Sequence, residues 1–175
     1  MPSHENASVP VLGGAAGRLR AALSPKALVE ALIAGGGGFI TILLLAWATA
    51  RTEILLLIAP FGASCVLVFA LPQSPLAQPR NLIGGHAVAT IAGLVVQALL
   101  GATPLGFALG VGLAITSMIL TKTVHPPAGA DPIVVLLASA SWSFLVAPVL
   151  IGATVIMLVG IAYHRLASGK AYPTK

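Results

Sequence analysis

A chain of 175 residues with 58% hydrophobic and only 7% charged residues, at a mean hydropathy of +1.03, is not a soluble globular domain, which carries about 25% charged residues. It reads as an integral membrane protein. The single cysteine, Cys65, rules out an intramolecular disulfide. The net charge of +5 comes from basic residues scattered at the ends of apolar runs, so no nucleic-acid partner is expected.

Residues 1–24 carry Arg18 and Arg20 but no apolar run of signal-peptide length, and read as a short basic tail kept on the mature protein. Ser24 and Pro25 supply a cap and a first-turn proline for a first segment from Ala27 to Ala50, long enough to span. Its Gly35–Gly38 tract allows close helix approach. After Arg51-Thr52-Glu53, Ile54 to Leu71 forms a second segment, interrupted by Pro60 and Gly62. The polar, proline-rich stretch that follows cannot span. Leu82 to Leu100 is the third segment, with His86 near its start and Gln97 near its end, and a Gly101–Pro104 turn leads to the fourth, Leu105 to Thr121. Next comes K-T-V-H-P-P-A-G-A-D-P, Lys122 to Pro132, a polar and kinked stretch that opens a fifth segment ending at Ala140. Ser141-Trp142-Ser143 reads as an interface with an aromatic anchor. The last segment, Ala147 to Tyr163, ends in His164-Arg165 and a small basic tail. The transmembrane domain is thus 25–165, between cytoplasmic tails at 1–24 and 166–175.

A shift of 67 residues superposes Pro60-Phe61-Gly62-Ala63-Ser64 on Pro127-Ala128-Gly129-Ala130-Asp131, and pairs Val68 with Val135, Gly85 with Gly152 and Gly93 with Gly160. The fold expected is therefore an all-α membrane protein of six transmembrane-level segments in a 3+3 inverted repeat, the second and fifth broken at P-x-G-A. The alternative is four spans with two re-entrant segments. Six crossings place every Lys and Arg except Arg51 on one side, taken as cytoplasmic. In each broken segment a half-helix would begin inside the bilayer, capped by Ser64 in one and by Asp131, ahead of Pro132, in the other. Such helix N-termini attract small anions without a charged side chain.

The candidate site accordingly comprises Pro60, Gly62, Ala63 and Ser64 with Pro126, Pro127, Gly129, Ala130 and Asp131. A carboxylate deep in a membrane helix costs roughly 2.5–3.5 kcal/mol, so Asp131 needs a partner or a purpose, and Lys122 and His125 are nearest in sequence. The alternative is a Lys122 that snorkels to the interface while Asp131 caps its helix. His125 titrates near neutral pH and suits a proton-linked gate. His86 after Gly84-Gly85 reads as a hydrogen-bonding partner of a neighbouring helix, with pore lining as the alternative.

The His125-Pro126-Pro127 triplet followed by A-G-A-D-P, together with P-F-G-A-S at Pro60 to Ser64, resembles the HPP family of integral membrane proteins over about Leu28 to Arg165. The resemblance implies a transport role, nitrite movement being associated with a plant and cyanobacterial branch. The family is usually described with four spanning helices, whereas the charge pattern here favours six. The function expected is a transporter or channel for a small inorganic anion, nitrite first. A cation path through Asp131 and a non-transporting membrane scaffold are the alternatives. An enzyme, a cofactor and a bound metal are not expected. A homo-oligomer in a bacterial inner membrane is, because a chain this short barely encloses a pathway.

Overall fold

The computed structural model describes residues 24–174, so the tail expected at 1–24 lies outside them apart from Ser24. Every secondary-structure element among them is helical. The elements are α1 (Pro25–Thr52), α2 (Pro60–Cys65, extended by a π-helical turn over Val66–Ala70), α3 (Pro79–Leu100) and α4 (Pro104–Leu120). A 3₁₀ turn at Pro126–Ala130 leads into α5 (Asp131–Leu137). The last helix, α6 (Ile151–Tyr163), runs on into a π-helical turn at His164–Ser168 and is preceded by Leu145–Leu150, which is kinked where Ala147 is extended (φ −131, ψ 118) ahead of Pro148. Three of these stretches, Pro25–Thr52, Pro79–Leu100 and Leu145–Ser168, are long and apolar enough to cross a membrane.

Proline starts most of these elements. Pro25, Pro60, Pro79, Pro104 and Pro126 each stand at a first helical position, where a fixed φ helps and the missing N–H costs nothing. Caps complete several starts: Thr103 Oγ1 accepts from Gly106 N at 3.0 Å and Ser24 Oγ from Ala27 N at 3.3 Å. Gly101, at φ +62, ends α3, in backbone that a glycine enters without steric penalty.

The chain separates by contacts into residues up to Leu32 and a bundle from Ile33 onward. Within the bundle one end is laced together: Tyr163 Oη donates to Ile33 O, Asn81 Nδ2 to Val124 O, both at 2.8 Å, and Arg80 Nη2 to Thr121 O at 3.0 Å. Tyr172, buried, donates to Ala77 O at 2.9 Å, and Gln73 Nε2 donates to Ala171 O at 2.9 Å, so the segment after α6 packs back onto this end. At the opposite end Gln97 Nε2 donates to Ala140 O at 2.7 Å and Leu56 N to Thr49 Oγ1 at 2.9 Å. Successive elements therefore alternate in direction.

Two expectations change. The second segment is not broken at Pro60–Ser64; its helix begins at Pro60 and runs through Ser64, while residues 53–59 before it are non-helical. Ser64 is consequently interior to α2 and caps nothing. Nor does Asp131 cap α5: it already has helical φ −58 and ψ −42, and its N–H donates to Ala128 O. Proline explains both, because it opens a helix more readily than it interrupts one.

Glycines set how closely the bundle closes. A Cβ on Gly85 would lie 2.8 Å from Thr123 O, and one on Gly93 2.8 Å from Pro132 Cα and 3.3 Å from Val135 Cβ. On α6, a Cβ at Gly152 would overlap the Phe61 ring and lie 3.1 Å from Leu56 O, and one at Gly160 would lie 2.6 Å from Val68 Cγ1. The main core packs Phe61, Val68, Leu82, Leu94, Val135, Val149 and Ile156 together, and a smaller one joins Ala89, Ala92, Ala114, Met118 and Ala128. Phe39, Leu43, Trp47, Leu99, Ile119 and Leu166 are exposed, as lipid-facing residues should be.

Gly85→Ala should lower stability by about 1–3 kcal/mol through overpacking against backbone that cannot yield. Gly112→Ala, whose Cβ meets nothing within 4 Å, should leave it unchanged. Thermal unfolding in detergent reads the difference.

Candidate functional site

Where α2, α3 and the lead-in to α5 meet, four polar side chains form one hydrogen-bonded chain. Ser64, His86, His125 and Asp131 are each 0% exposed. His86 Nδ1 lies 2.7 Å from Asp131 Oδ2, and His86 Nε2 lies 2.9 Å from Ser64 Oγ. The same hydroxyl lies 2.9 Å from His125 Nε2, and His125 Nδ1 donates to Leu76 O at 2.8 Å. Ser64 Oγ is also 3.3 Å from Pro60 O, and Thr90 Oγ1 donates weakly to Asp131 Oδ2 at 3.4 Å. Asp131 Oδ1 is buried with no hydrogen-bond partner among the described residues.

Local sequence explains how these groups converge. Gly85 precedes His86 and has no Cβ, so the backbone at Thr123 and the His125 Cβ approach α3 directly, the latter within 2.6 Å of where a Gly85 Cβ would stand. His125 is held extended, at φ −138 and ψ 99, as the residue before a proline prefers. Phe61 meets the His86 ring edge-on at 5.3 Å and holds its plane. Gly93 lets Pro132 seat against α3, which brings Asp131 down onto His86.

The other candidate residues divide. Pro60 and Pro127 are buried, Gly129 and Ala130 half-buried, and Gly62, Ala63 and Pro126 exposed. Lys122 is exposed in a turn at φ 57 and takes no part in the cluster. Asp131 is paired by His86, not by the two groups nearest in sequence. Helix-terminal amides are engaged: Phe61 N donates to Ile58 O at 3.1 Å and Gly62 N to Ala59 O at 3.2 Å. The polar atoms of the site are therefore side-chain atoms. Thr90 and the Leu76 carbonyl were invisible as participants, since neither carries a charge or a motif. His164, given no role from sequence, is buried and donates through Nε2 to Val68 O at 2.8 Å, pinning the end of α6 to α2.

Chemically, the order Ser64–His86–Asp131 has the spacing of a nucleophilic triad. Its serine, however, is shared with a second imidazole and enclosed, so the arrangement suits exchange of protons within the cluster better than attack on a substrate. Among the described residues no three His, Cys, Asp or Glu side chains group as a metal would require.

The HPP transmembrane-region family profile matches residues 23–173. A transmembrane protein of Dictyostelium discoideum is 37% identical over 147 residues, covering 77% of this chain and 47% of its own length. A second transmembrane protein of that organism is 38% identical over 125 residues, covering 67% of this chain and 44% of its own. The chain thus spans less than half the length of these relatives. No solved structure matches it.

His86→Ala would leave a buried carboxylate with only the long Thr90 contact, and should cost about 3–5 kcal/mol. Lys122→Ala should change stability by less than about 0.5 kcal/mol, as exposed substitutions usually do. Unfolding midpoints of the two purified variants in detergent compare them.

Proposed function

Because the chain belongs to the HPP transmembrane-region family, we propose that it is a transporter or channel for a small inorganic anion, with nitrite the leading cargo. The observation that carries this reading is the fully buried Asp131–His86 pair, linked through Ser64 to His125, inside an apolar bundle. Ionisable groups at membrane depth are costly and mark ion and proton pathways. The His86 imidazole takes up Asp131 Oδ2 and shares the carboxylate's charge, which lessens its repulsion of an anion. The four side chains are enclosed, so passage requires the short elements around Pro60 and Pro126 to part.

The architecture we infer is an inverted 3+3 repeat with six crossings. What supports it is the packing of glycines related by the sequence shift: Gly85 meets Thr123 O and Gly152 meets Leu56 O, while Gly93 meets Val135 and Gly160 meets Val68. In both pairs the two contacts correspond residue for residue, with each repeat's last helix packed on the other repeat's short element. Inverted repeats of this kind put substrate at the repeat interface, where the cluster lies. Arg80 sits at the end laced to Thr121 O, the end that also carries Lys122, Arg165 and Lys170, and Arg51 ends α1 at the other. That asymmetry supports cytoplasmic termini. A homo-oligomer is part of the proposal.

A cation path is the second reading, favoured by the unpartnered Asp131 Oδ1. Uptake into proteoliposomes of nitrite, nitrate, chloride and alkali cations separates the two. Nitrite should enter faster than into protein-free vesicles, and His125→Ala should slow it by about a hundredfold or more, the range for a lost proton-transfer group. Equal flux with and without protein for every anion overturns the proposal. Loss of cation flux in Asp131→Asn, with no anion flux in either protein, would establish the second reading.

A further inference from the structure

We propose that Asp131, His86, Ser64 and His125 form a proton relay in which the Ser64 hydroxyl is the obligatory bridge between the two imidazoles. The inference deepens the transport reading, and rests on it for the source and sink of the proton.

Hydrogen-bond accounting fixes the protons. The Leu76 carbonyl only accepts, so the Nδ1 of His125, 2.8 Å away, carries a hydrogen. Between this bond and Asp131 lie three more contacts, His125–Ser64, Ser64–His86 and His86–Asp131. With the Ser64 hydroxyl directed along the chain and not at Pro60 O, each holds one proton, and the serine supplies one. The whole chain is then electrically neutral: the Asp131 charge is cancelled by a single excess proton, which resides on Asp131, on His86 or on His125. This neutrality is what a low-dielectric interior demands of a buried carboxylate. The groups that can change charge here are Asp131 from α5, His86 from α3 and His125 before α5. From α2 comes Ser64, and Thr90 and Phe61 complete the surroundings as uncharged neighbours. No Lys or Arg bonds to any of the four among the described residues.

Transfer needs no heavy atom to move. With His86 an imidazolium and Asp131 a carboxylate, the His86 Nε2–H bond breaks and its proton passes to Ser64 Oγ. The Ser64 hydroxyl proton passes at the same time to His125 Nε2. Ser64 is again a hydroxyl, His86 is neutral and His125 carries the charge. The proton has moved from the pair at Asp131 to the histidine bonded to the Leu76 carbonyl. Reversal of the Ser64 hydroxyl resets the path. The Pro60 carbonyl, 3.3 Å from Ser64 Oγ, offers that hydroxyl a third direction. Pointing there, Ser64 accepts from both imidazoles, and the cluster takes up one further proton. This gives the Pro60-to-Ser64 motif a function in which backbone and hydroxyl act together as a gate on proton loading.

The test measures proton entry and nitrite entry in the same vesicles, using an internal pH dye under an imposed potential, for wild type, Ser64→Ala and Ser64→Thr. Wild type should move protons. Ser64→Ala should reduce proton flux by about a hundredfold, the lower range for loss of a positioned proton-transfer group, and Ser64→Thr, which keeps the hydroxyl, should restore it. Proton flux in Ser64→Ala equal to wild type overturns the relay. Nitrite entry without proton entry in wild type overturns the relay and leaves transport standing. Proton entry without entry of any anion keeps the relay and removes the transport reading. Should the variants fail to fold, ¹⁵N spectra of the histidines in wild type decide: a His125 Nδ1 without a proton overturns the relay, and a protonated one upholds its accounting.

Discussion

The contact on which the rest of the structure depends is the 2.7 Å approach of His86 to Asp131. An aspartate without exposure inside an apolar bundle needs a partner that shares or cancels its charge, because an isolated carboxylate there is prohibitively costly. Meeting that need dictates geometry well beyond the pair. The imidazole must be held edge-on by Phe61, its second nitrogen must find the Ser64 hydroxyl, and α2, α3 and α5 must converge at one point. Three glycines, Gly85, Gly93 and Gly152, are where the backbones come closest to make this convergence fit.

The same demand explains the division of labour between the two motif segments. Pro60 to Ser64 contributes a hydroxyl and a carbonyl from a helix that starts at its proline. Lys122 to Pro132 contributes an imidazole held extended before Pro126 and a carboxylate on the first turn after the 3₁₀ bend. The two segments share proline, glycine and alanine at one spacing, while the ionisable groups lie in the second alone. His86, which has Ala153 as its counterpart, supplies the asymmetry that turns a packing motif into a polar site.

Much of the fold was legible. Six apolar stretches separated by polar or proline-rich turns became the helical elements, with boundaries shifted by a few residues because Pro25, Pro60, Pro79, Pro104 and Pro126 open helical elements instead of breaking them. The glycines aligned by the 67-residue shift turned out to sit at equivalent close approaches. The site was legible only in part. Asp131 stood out by its cost, and His125 by its neighbours, but the partner of Asp131 was sought nearby at Lys122 and His125. The residue that pairs it, His86, lies 45 positions away on another helix, and Gly84-Gly85 before it was the available hint of a close backbone crossing.

The sequence by itself determined that the chain is a helical membrane protein, in which stretches its helices lie, and that a carboxylate must be accommodated within. These follow from local hydropathy, from the fixed φ of proline and from the cost of a buried charge, each a property of short stretches. The tertiary structure decided which group meets that carboxylate, that Ser64 bridges two imidazoles instead of capping a helix, and that Lys122 remains outside. Those outcomes depend on which helix faces cross and how closely. Distance along the chain carries no information about that once glycines let backbones touch.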